Sequence, residues 1–72
     1  EFKIYPNPVH ENIFVKGNTE EVKTIHISDF SGKIIYKENN PFKNKKNISV
    51  HGLSAGFYLL QINNKTYPFI KK

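Results

Sequence analysis

His10, His26 and His51 are the only histidines in the 72 residues, and there is no cysteine. No two histidines stand two or four apart, so the chain lacks the short spacing that sets two imidazoles on one metal ion. Asp29 beside a serine and a histidine has the residue types of a hydrolytic triad. A short chain supplies that trio by accident, and no strand-to-helix elbow surrounds Ser28, Ser31, Ser49 or Ser54. No glycine-rich phosphate loop is present. Asn47-Ile48-Ser49 and Asn64-Lys65-Thr66 match the N-glycosylation pattern, which is common by chance. The residues therefore predict no enzyme, no metal and no cofactor. What remains is binding chemistry. The net charge is +5, and all eleven basic residues are lysines. Lysines beside ten aromatics (four Tyr and six Phe) raise single-stranded nucleic acid as a partner class. Against it, no arginine is available for bidentate base reading, and the aromatics do not alternate with lysine as in a stacking platform.

The elements that position these groups read as strands. A chain of this length is one domain with a small core and little room for a deep cleft. Short alternating runs recur between turn residues at 2–5, 12–16, 21–28, 33–38, 48–50, 57–62 and 66–71, with no long 3.6-residue period. Asp29-Phe30-Ser31-Gly32 is a tight turn with glycine at the positive-φ position, so 21–38 is a hairpin. The lysine-rich stretch 39–47 reads as a loop. Pro68 places the last run at an edge or forces a bulge. Seven short strands and no helix predict an all-β, Ig-like antiparallel β-sandwich, with a five-stranded closed barrel as the competing architecture. Period-2 alternation puts Ile13, Val15, Ile25, Ile27, Leu53, Tyr58, Leu60 and Ile62 in the core. It does not decide between Ile35 and the pair Ile34/Tyr36.

"LSAGFYLLQI" at 53–62 has its own logic. Gly56 lets the chain turn into a strand, and Tyr58 at its start has the placement of a tyrosine corner, with its hydroxyl bonding backbone near 51–55. The same alternation turns Phe57 and Leu59 outward, together with Phe14 and, near the end, Phe69 or Ile70. An exposed apolar patch on a small domain marks a contact site. The alternative is that a loop side chain such as Phe42 covers it. Lys71 and Lys72 are expected at the end of this face, steering it toward anionic partners.

"YPNPV" near the start, then "ISDFSGKII", then "LSAGFYLLQI", then a lysine-ended last strand resemble, in order and spacing from about Ile4 to Lys72, the C-terminal sorting domain of the type IX secretion system of Bacteroidetes. The residues that carry the resemblance are Pro6, Asn7, Pro8, Gly32, Leu53, Gly56, Tyr58 and Lys72. It implies a folded signal at the end of a cargo protein that passes through the periplasm to the cell surface or the medium. It implies as partners an outer-membrane translocon, a shuttle protein and a sortase that cuts upstream of the domain, with a contact to anionic lipopolysaccharide. The chain starts at Glu1-Phe2 without methionine, in mid-pattern, which predicts one sorting domain over 1–72 excised from a larger secreted protein. Within this reading Pro6 and Pro8 are expected to hold an extended, stiff junction between a cleavable linker and the sandwich. A different class, an Ig-like accessory module that binds carbohydrate or spaces domains, shares the fold and needs no terminal position.

Overall fold

The computed structural model describes residues 2–72. Seven strands form in order: β1 (Lys3–Tyr5), β2 (Asn12–Lys16), β3 (Thr24–Asp29), β4 (Ile34–Asn39), β5 (Asn47–Ser49), β6 (Gly56–Ile62) and β7 (Lys65–Lys71). They build a three-stranded sheet, β1-β2-β5, and a four-stranded sheet, β4-β3-β6-β7. Every strand pair is antiparallel. The two sheets stay separate, so the open sandwich stands and the closed barrel does not.

Alternation does most of the sorting. Ile13, Val15, Ile25, Ile27, Tyr58, Leu60 and Ile62 are buried as expected. In the larger sheet Ile25 faces Ile62, and Ile27 faces Leu60. Leu53 differs: it is only partly buried and packs on the core from outside. It sits in the turn after β5, where its N–H donates to Val50 O at 3.0 Å, and a turn residue has no sheet to shield its second face. Val9, Val22, Ile48, Val50 and Phe69 complete the core. The run expected at 21–28 starts late, at Thr24, because Glu21 ends a one-turn 3-10 helix, Thr19–Glu21, in which Asn18 Oδ1 accepts from Glu20 N. This side-chain cap offers the backbone an alternative to the ladder.

Tyr58 makes the corner. Its hydroxyl donates to Ser54 O at 2.7 Å, and its ring stacks on Phe69 at 5.6 Å. Gly56, at φ 158°, lies just before it, and a Cβ there would touch the tyrosine ring at 3.8 Å. At the other turn the Asp29 carboxylate accepts from Ser31 N at 2.9 Å, Ser31 Oγ at 2.7 Å and Lys33 N at 3.0 Å. These bonds hold its carboxyl below the ordinary value of 3.8, the Ser31 hydroxyl contributing most. Gly32 closes the turn at φ 93°.

The Pro6-Asn7-Pro8 segment departs from expectation. It is not a junction ahead of the sandwich, because β1 comes first and already pairs with β2. Nor is it extended: the chain bends there, and both X-Pro bonds are cis. The segment carries the chain from the smaller sheet to the far edge of β7. There Asn7 Oδ1 accepts from Ile70 N at 2.9 Å. Val9 N donates to Ile70 O at 2.8 Å, and Lys72 N donates to Val9 O at 2.8 Å. Residues 7–9 therefore form a strap along β7, in part through a side-chain amide that stands in for backbone.

Candidate docking face

Cross-strand register fixes what the outer face of the four-stranded sheet displays. Phe57 lies opposite Ile70, and Leu59 opposite Pro68. Leu59 also faces Ser28 on β3, which in turn faces Ile34 on β4. Phe30, in the β3–β4 turn, is 80% exposed and meets Phe57 edge to face at 5.6 Å. One half of this face is thus apolar, built from Phe57, Leu59, Pro68, Ile70, Ile34 and Phe30. The other half is polar: His26 and Gln61 are hydrogen-bonded at 3.1 Å, with Lys37 opposite His26 and Thr66 opposite Gln61.

The expected site residues divide. Phe57 and Ile70 are exposed, and Leu59 is half-buried on the same face. Phe69 turns inward and is fully buried, so Ile70 is the outward member of that pair. Lys71 does not stand at the end of the face. It is only 8% exposed, because it follows Phe69 by two residues and so shares the inward side. Its Nζ bends back to donate to Lys72 O at 2.8 Å. The Lys72 side chain is exposed, while its main chain holds the strap. Phe42 does not cover the patch. It packs on the core near Thr19 and Val22, at the Asn40 end of β4, opposite the Ile34 end that borders the patch.

Pro68 fits β7 without a bulge, since its register with Leu59 continues the ladder on both sides. Ile70 sends its N–H outward to Asn7. By alternation Pro68 also faces outward, so its missing N–H removes no bond to β6.

Two contributors escaped the sequence reading. Phe30 lies in a turn, where periodicity says nothing about direction. Ile34 was undecided, because a bulge shifts the β3–β4 register between Ile27 and Ser28. Ile34, Ile35 and Tyr36 are all exposed, so neither alternative for the inward face of that strand holds.

Among the described residues no three of His, Asp and Glu gather as metal ligands. No helix there is long and apolar enough to cross a membrane. The surface openings are shallow and edged by charged or turn residues.

A two-sheet antiparallel sandwich with a tyrosine corner and an apolar half-face defines a small domain of the all-β class. Residues 3–72 match the family model of the secretion system C-terminal sorting domain, and the chain belongs to that family. It is the family of type IX sorting signals, which are not enzymes and mark secreted or cell-surface proteins. No curated protein and no solved structure matches the chain.

Proposed function

We propose that residues 1–72 form a single sorting domain at the C-terminal end of a longer secreted protein, and that the domain is read through the apolar half of its four-stranded sheet. The type IX machinery docks on Phe57, Leu59, Ile70 and Phe30. The attached cargo then crosses the outer membrane, and a sortase cuts upstream of the domain. The family membership supports the route. The observation that carries the docking face is the apolar cluster joined by the Phe30–Phe57 contact and left open by the 40–46 loop. Apolar groups at the centre of a contact supply the desolvated core that a polar rim then surrounds.

The test is a secretion reporter fused ahead of the domain. Phe57→Ser with Leu59→Ser should leave folding intact, because both side chains lie on the outer face, and should retain the reporter in the periplasm. Tyr36→Ser, an exposed aromatic on β4 opposite Ile27 and outside the apolar half-face, serves as the control. Surface delivery at the wild-type level by the folded double variant would move the docking face elsewhere. Lys72→Glu isolates the remaining terminal charge. Deleting residues 71–72 would also remove the Lys72–Val9 bond and confuse docking with stability.

A further inference from the structure

A second surface lies on the other side of the molecule. In the three-stranded sheet Ile4, Ile13, Val15 and Ile48 point inward, so Lys3, Tyr5, Asn12, Phe14, Lys16 and Asn47 point outward. Register arranges them in rows. Lys3 lies directly opposite Lys16, and Tyr5 opposite Phe14, which faces Asn47 on β5. The next row brings Asn12 opposite Ser49. Tyr5 and Phe14 are both exposed, at 51% and 41%. Their rings are 5.8 Å apart and only 23° from parallel. Beyond the lysines a shallow, open notch is lined by Phe2, Lys3, Lys16 and Gly17.

We propose that this face binds an acidic polysaccharide. Two lysines facing each other across a strand pair repel. Among the described residues the single ion pair is Lys45–Glu38, in a different part of the molecule. Carboxylates from outside would neutralise the pair, and ammonium groups suit charges strung along a flexible polymer because they act as point charges without a fixed docking plane. The row beside them supplies aromatic rings on which the C–H face of a sugar packs. The row after that supplies amide and hydroxyl groups that pair with sugar hydroxyls. Nucleic acid fits less well. No guanidinium is present to read a base edge. The surface is distinct from the proposed docking face, which lies on the four-stranded sheet.

The probe is polygalacturonate, a carboxylated polymer, with dextran as the neutral polymer and oligothymidylate as the nucleic acid. Retardation is measured in gels containing each polymer at moderate salt. The domain should be held back by polygalacturonate and not by dextran. Lys3→Glu with Lys16→Glu should weaken binding at least tenfold. Lys23→Glu with Lys65→Glu, an equal change in net charge elsewhere, should weaken it less than threefold. Phe14→Ala, checked for an unchanged circular dichroism spectrum, should weaken it severalfold at constant charge, and Tyr5→Phe should preserve it. Equal losses from the two lysine pairs would reduce the effect to net charge and overturn the proposal. Unchanged binding by the Lys3/Lys16 variant, or tighter binding of oligothymidylate than of polygalacturonate, would overturn it as well. None of these results bears on the reporter experiment, so the two readings fail separately.

Discussion

The four-stranded sheet has two edges, and they are protected in opposite ways. β7 is covered. Asn7 and Val9 bond to Ile70, Lys72 bonds back to Val9, and Pro68 removes one outward N–H altogether. β4 is open, with no strand pairing its far side among the described residues. Since Asn40 N points to β3 through its bond to Lys23 O, alternation turns the Lys37 and Asn39 amides toward solvent. Lys33, Lys37 and the bulge near Ile34 are what keep another chain from adding there, the usual means of blunting an edge. The contrast teaches where the chain has placed its order. The covered edge lies beside Phe57 and Ile70, so the strap stiffens the strand that presents the apolar half-face. The open edge relies on lysine charge and a bulge, with no strap across it.

Truncation on each side separates the two designs most sharply. Val9→Ala removes two fully buried methyl groups from the strap and should cost about 2 kcal/mol, at about 0.8 kcal/mol per buried carbon plus a small cavity. Tyr36→Ala on the exposed strand should cost only about 0.5 kcal/mol. Urea midpoints measure both, and similar losses would erase the distinction.

Tyr58→Phe probes the corner from which β6 runs along β7. Loss of the bond to Ser54 should lower stability by about 0.5–1.5 kcal/mol, with the slope of the denaturation curve unchanged. A midpoint that does not move would leave the hydroxyl without a structural role.

Asn7→Ala tests the strap's side-chain bond alone. It should cost about 1 kcal/mol or less, as for one partly exposed hydrogen bond, and should raise amide exchange at Ile70 about fivefold. The Lys37 and Asn39 amides should exchange fast in both proteins. If Ile70 exchanges as fast as they do before the substitution, the strap is not formed in solution.

The smallest effect is a pH effect at the head of the open edge. The Asp29 carboxyl is lowered mainly by the Ser31 hydroxyl. Its contribution is therefore present above the ordinary value of 3.8 and is lost as pH falls below that through the folded value. Amide shifts of residues 29–34 should change in that acid window, and Asp29→Asn should abolish the change. Unaltered titration in the variant would assign the effect to another group.

The legible parts of the fold were those written in period 2. Ile25 and Ile27, or Leu60 and Ile62, announce a face because each strand keeps its alternation over several residues. The Asp29–Gly32 turn and the Tyr58 corner were legible because their chemistry is local, within four residues of sequence. Lys71 was misread because a charged residue was assumed to follow solvent rather than strand parity, and parity won. Pro6-Asn7-Pro8 was misread because its partners are Pro68 and Ile70, and no local pattern names a partner so distant. The patch was half legible: Phe57 and Leu59 followed from alternation, whereas Phe30 and Ile34 depended on a turn and a bulge.

The strap also bears on the order of assembly during synthesis. Asn7 and Ile70 are 63 positions apart, and contacts of such separation form late because loop closure must come first. A chain emerging from its amino end exposes residues 7–9 early, and they stay unlatched until Ile70 and Lys72 have been made. A chain that lacks Ile70 and Lys72 keeps the β3–β4 hairpin but leaves Val9 without its backbone partners. The surface around Ile70 is thus complete only once residues 7–9 and β7 have both been made, so one edge of the sheet joins the two most distant parts of the sequence.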